Sequence, residues 1–132
     1  MSTRSAIIIE ELDGTASGIY CHFDGYLSNQ KPLLELYGEK ETRELIGRGS
    51  ISSLGEPGES IAYADRGITW DMGYVRRTGE DDSAISDASW HAVADRIGHN
   101  GYVYVFRAEE GNWCVSQFGS PLELLCTVQE DR

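Results

Sequence analysis

Asp13-Gly14 stands between two runs rich in β-branched and apolar residues, and this arrangement constrains the chain more than any other feature in it. Ala6-Ile7-Ile8-Ile9-Glu10-Glu11-Leu12 is short and β-branched, which predicts a strand. Asp-Gly suits a tight hairpin because both turn positions need positive φ. Thr15 through Phe23 then return as the second strand, with Ile19, Cys21 and Phe23 on one face and Tyr20 and His22 on the other. Asp24-Gly25 ends it.

Beyond that break, Ser28 and Asn29 offer N-cap oxygens and Pro32 suits a first helical turn. A helix carrying Leu33, Leu34, Leu36 and Tyr37 is expected there, with Gly38 as its C′ residue. A second short helix is predicted from Glu41 to Ile46. Ser50 to Gly58 reads as a connector with Ile51 and Leu54 as buried pegs, and Ser60 to Ala64 as a brief strand. From Asp65 to Asp82 the periodicity dissolves into a long loop. Its Trp70 and Tyr74 either pin it to the body or form a binding tip.

Ser86 is placed to cap a helix whose apolar stripe is Trp90, Val93, Ala94 and Ile97, with Ile85 and Trp90 spaced as a hydrophobic staple. Tyr102 to Phe106 and Trp113 to Phe118 flank Glu110-Gly111-Asn112 as a second hairpin, and Leu122 to Val128 is a final edge strand or short helix. Two terminal hairpins with two to three helices predict one α+β domain over residues 1–132. The expected architecture is a single antiparallel sheet with the helices packed on one face.

Charge narrows the choice of partner. Twenty-two Asp and Glu against eleven Lys and Arg give a net charge of −11. Direct binding to nucleic acid or to an anionic membrane needs clustered Lys and Arg, so neither is expected. A basic protein surface is the natural counterpart, with association quickened by the field and weakened by salt. Cys21, Cys114 and Cys126 are widely spaced and form no C-x-x-C, which fits a reducing cytosol and small buried hydrophobes. The apolar run Ala6 to Ile9 is too brief for a signal peptide or membrane span, so a cytoplasmic protein is expected.

No phosphate-cradling glycine loop and no G-x-S-x-G elbow is present. Tyr20, His22, Asp24 and Tyr26, with His91 from the third helix, form the one candidate pocket. His22 and Asp24 share a face but supply at most two metal ligands, so no metal and no cofactor is expected. Cys21 as a nucleophile would need an electropositive setting, whereas its neighbours are apolar and acidic. Acidic residues gather instead at turns and helix starts, and Glu80, Asp81, Asp82, Asp87, Glu109 and Glu110 are the candidate partner-binding face.

Gly18-Ile19-Tyr20-Cys21-His22-Phe23-Asp24-Gly25-Tyr26, then Leu33-Leu34 with Tyr37, Leu45-Ile46 and Ile51-Ser52-Ser53-Leu54-Gly55-Glu56, resemble a family of short proteins of bacteriophages, prophages and related mobile elements. Tyr102 to Phe106, Gly111-Asn112-Trp113 and Ser120-Pro121-Leu122 are similar as well. In that family the segment after the Ile61-Ala62-Tyr63 position more often carries a histidine. Ala64-Asp65-Arg66-Gly67 has none here, so a site built on it is not expected.

The resemblance implies an accessory protein of a mobile element, acting in the bacterial host cytoplasm, with no established activity to transfer. Joined to the charge, it gives the expectation of a non-enzymatic, anti-CRISPR-like inhibitor. Such a protein would mimic DNA toward a basic, nucleic-acid-binding host defence complex, as a monomer or a homodimer. A small hydrolase or ligand-binding protein using the Tyr20, His22, Asp24 and Tyr26 cluster is the alternative.

Overall fold

Four apolar residues in succession, Ala6 to Ile9, are at most 2 % exposed, so the first strand is covered on both faces. That strand, β1 (Ser5–Glu10), lies at the centre of the sheet. A computed structural model describes residues 4–58, 61–62, 84–98 and 101–128. It contains β2 (Ala16–Cys21), α1 (Leu27–Leu34), α2 (Glu39–Gly47), β3 (Ile51–Ser53), β4 (Ile61–Ala62), β5 (Ile85–Asp87), α3 (Trp90–Ile97), β6 (Tyr102–Arg107), β7 (Asn112–Gln117) and β8 (Glu123–Leu124), then a 3-10 turn at Leu125–Thr127. The predicted loop aromatics Trp70 and Tyr74 lie outside the described residues.

The class is α+β as expected, but the sheet is mixed rather than antiparallel. Its order is β4-β3-β2-β1-β6-β7-β8, and β5 also pairs with β2. Each terminal hairpin is antiparallel within itself. Between them β1 runs parallel to β6, from Ser5 opposite Tyr102 to Glu10 opposite Arg107. β3 is likewise parallel to β2, through Cys21 and Ile51.

The helices also depart from the expectation of one covered face. Side chains alternate along β1, so Ile7 and Ile9 meet Leu27, Leu34, Leu45 and Ile46 of α1 and α2. Ala6 and Ile8 point the other way, to Val93, Ala94 and Ile97 of α3. A sheet whose central strands are apolar on both sides needs a helix on each. Gly18 is what lets α3 come close: a Cβ there would sit 2.7 Å from Ile8 Cγ1 and 2.9 Å from Val93 Cγ1.

Several element boundaries moved for local reasons. The first hairpin turns one residue early, Gly14 N–H donating to Glu11 O at 3.0 Å. Only Gly14 takes positive φ, at 92°, as the bulge residue after a turn centred on Leu12 and Asp13. The first helix begins at Leu27 with Tyr26 as N-cap and encloses Pro32, while Gly38 caps α2 rather than closing α1. Ser86 belongs to β5, its hydroxyl 2.7 Å from that of Ser17, and Ser89 caps α3 by accepting from Ala92 N–H.

Candidate functional site

Where β2 runs out, the backbone turns sharply over the start of β1. Asp24 takes φ of 59°, a left-handed conformation that Asp tolerates better than most residues. Gly25 follows because a Cβ at that point would lie 2.6 Å from Ser5 Cβ and 3.0 Å from the Arg4 carbonyl carbon. Tyr104 donates its hydroxyl proton to Gly25 O at 2.7 Å, tying the turn to β6. Asn29 Nδ2 donates to Asp24 O at 2.8 Å, joining it to α1.

Tyr20 and His22 are each 1 % exposed, and the Tyr20 hydroxyl lies 2.7 Å from His22 Nδ1. The imidazole also meets the edge of Phe23, ring centres 4.4 Å apart. Asp24 and Tyr26 are exposed, so the four residues do not converge on one opening. His91 is exposed and stacked on Trp90 at 3.7 Å. It lines a cavity of about 150 Å³ with Trp90, Asp95, Val103 and Ser116, to which neither Tyr20 nor His22 contributes.

Burial sets the chemistry of this cluster. It pushes the Cys21 thiol up to about 11, although Gln30 Nε2 donates to the sulfur at 3.2 Å. At neutral pH that thiol is protonated and inaccessible, the reverse of what a nucleophile requires. Cys114 is buried too, but Cys126 is exposed, unlike the sequence expectation. Among the described residues no three His, Cys, Asp or Glu side chains are grouped to hold a metal ion.

Burial, aided by the Arg4 charge, lowers the His22 pKa from its ordinary 6.5. For a base depressed on folding, the unfolded chain takes up the extra proton. Stability is then complete above 6.5 and is lost as pH falls below it toward the folded value. The urea midpoint should therefore drop between about pH 7.5 and about pH 5.5, and His22→Gln should flatten that drop. Glu11, Asp13 and Asp87, whose pKa values are lowered, act below this window, beneath the ordinary 4.5 and 3.8.

The opposite end of the sheet is acidic, for a topological reason. Because β1 and β6 are parallel, both hairpins turn at the same end. One continuous row crosses the sheet there: Asp87 opposite Ala16, Ala16 opposite Glu10, Glu10 opposite Arg107, and Arg107 opposite Asn112. Five residue steps along β2, about 17 Å of strand, lie between this row and Cys21.

Arg43 forks onto Glu11 at 2.7 and 2.8 Å and also meets Glu39. Arg107 pairs with Glu10 at 2.8 Å and Arg96 with Asp87 at 3.3 Å. The Ala88 N–H, then Arg96, hold the Asp87 carboxyl below its ordinary range. Glu109 and Glu110 are exposed in the β6–β7 turn and form no ion pair among the described residues. Glu80, Asp81 and Asp82 lie outside the described residues.

The chain matches no protein-family model, no curated protein and no solved structure. Geometry alone must therefore rank the two clusters. One has its imidazole and thiol sealed inside, and the other has its carboxylates at the surface.

Sequence reasoning missed a third feature, a cavity of about 240 Å³ walled by Tyr37, Phe106 and Trp113. Among the described residues no helix is long and apolar enough to cross a membrane.

Proposed function

We propose that this chain is a non-enzymatic accessory protein of bacteriophage or mobile-element type that works in the bacterial cytoplasm. It binds a basic protein surface through its acidic end and thereby inhibits a nucleic-acid-handling host complex. One observation carries this reading: the parallel pairing of β1 with β6 brings Asp87, Glu109 and Glu110 to the same end of a rigid sheet. Backbone held in strand ends and a tight turn has little further ordering to lose on binding, which favours recognition. The net charge of −11 adds long-range attraction to any cationic groove.

The hydrolase or ligand-binding reading ranks second. Tyr20 and His22 are buried, the Cys21 thiol is pushed up to about 11, and His91 lines a different cavity. Burial of this kind suits a scaffold better than a reacting group.

The test is capture from bacterial lysate by the immobilised chain. A basic, nucleic-acid-binding partner should be recovered at low salt and released as salt rises. Combining Asp87→Asn, Glu109→Gln and Glu110→Gln should slow association about tenfold or more. The two glutamate changes should leave the unfolding free energy within about 0.5 kcal/mol of the parent. Recovery indifferent to salt, or untouched by the three changes, would sink the reading.

A further inference from the structure

We propose that Phe118 seats in the α3-side cavity of a second copy of this chain, so that two copies join end to end. Such a contact does not depend on the reading above. It begins with the β7–β8 connection. Phe118 and Gly119 take φ of 52° and 85°, and Ser120 N–H donates to Gln117 O at 3.1 Å, a two-residue turn with both central residues left-handed. Asn, Asp or Gly is favoured at such positions, whereas the Cβ of a bulky residue crowds the following carbonyl. Burial does not compensate. Phe118 is 72 % exposed and rests edge-on against Tyr102, ring centres 5.2 Å apart. An aromatic ring kept both strained and in water points to a contact made outside the chain.

The turn that holds the ring out also borders a place to receive one. Gly119 and Ser120 line the cavity of about 150 Å³ that has buried Ala94 and Val103 in its wall beside Trp90 and His91. That is half the roughly 300 Å³ at which pockets for drug-sized ligands begin, and it leaves room for one aromatic side chain. The chain's own ring is turned elsewhere. Tyr102, on which it rests, packs with the α1 and α2 face, whereas Ala94 and Val103 belong to the α3 face.

A two-fold axis lying in the plane of the sheet and across its strands exchanges those faces. The ring of each copy then meets the cavity of the other, and a single symmetric interface contains both contacts. Charge favours this end of the molecule for the meeting. β6 runs from Tyr102, beside Phe118, to Arg107 in the acidic row, about 17 Å of strand. Copies that meet at Phe118 hold Asp87, Glu109 and Glu110 at opposite poles, where two chains of charge −11 repel least.

Sedimentation equilibrium of the full chain tests the assignment. The average mass should rise with concentration to twice that of one chain and stop there, more readily in salt that screens the repulsion. Phe118→Asn should weaken association at least about tenfold, and should raise the urea midpoint of the monomer because Asn accepts the left-handed turn. Asp95→Trp, which plugs the cavity from an exposed position, should abolish association while Asp95→Asn retains it. Phe118→Asn keeps an open cavity and Asp95→Trp keeps its ring, so mixing the two should restore part of the association that each lacks alone.

A chain that keeps its single mass at every concentration, or that grows past two copies, would overturn the proposal. So would association untouched by Phe118→Asn or by Asp95→Trp, or a mixture no better than its parts. A lower midpoint in Phe118→Asn would remove the strain that motivates the contact, and the proposal with it.

Discussion

Gly25→Ala is expected to destabilise this domain by about 3 kcal/mol, moving the urea midpoint by about 1–3 M. The added methyl would lie 2.6 Å from Ser5 Cβ and 3.0 Å from the Arg4 carbonyl carbon. Neither is the tip of a flexible side chain, because both belong to the start of the central strand. Relief means lifting the turn, and the turn carries the carbonyl that Tyr104 donates to. Tyr104→Phe alone should cost about 1–3 kcal/mol, since a buried acceptor loses its partner. In the double variant the two costs should fall short of their sum, because the lifted turn has already broken that bond. Equilibrium unfolding of the four proteins decides it, and full additivity would disprove the coupling.

Gln30→Ala should cost a similar amount, about 3 kcal/mol, by a different route. Gln30 is fully buried on α1 and bridges two strands. Ser5 Oγ donates to its Oε1 at 3.1 Å, and its Nε2 donates to Cys21 Sγ at 3.2 Å. Truncation leaves a hole and strips Ser5 and Cys21 of that partner together. Gln30→Met, which refills the volume, should recover part of the loss and leave the hydrogen-bond share. Thiol labelling offers an independent reading. The native chain should react quickly at Cys126 alone, with Cys21 and Cys114 protected. In Gln30→Ala, Cys21 should begin to label. Unchanged protection together with unchanged stability would show that the bridge is dispensable.

Much of the architecture could be read from local chemistry. Tyr102, Tyr104 and Phe106 share a face as their alternation requires, and Ile51 and Leu54 are buried as expected. What escaped was long-range. Ala6 to Ile9 has no polar interruption, and the same is true of Val103 to Phe106. Such runs mark strands buried on both sides, the habit of parallel pairing, and reading them as one-sided placed every helix on one face.

Ser86 was expected to cap α3, whereas Ser89, three residues on, does so. The reason is β2, whose edge holds Ser86 as strand. The Asp24 turn was visible in the Asp-Gly pair, but the burial of His22 was not, because a histidine beside an aspartate looks the same in a pocket or a core. The acidic end was legible only in part. Composition announced the charge, while the common end of the two hairpins depends on a parallel ladder between residues about a hundred positions apart in sequence.

The far edge of β2 is divided between two neighbours. Cys21 is held by β3, while Ala16, Ser17 and Gly18 are held by β5. The two are attached about 10 Å apart along the strand, at Cys21 and at Gly18. Divided between two short strands, that edge leaves little unpaired backbone to which a strand of another chain could add.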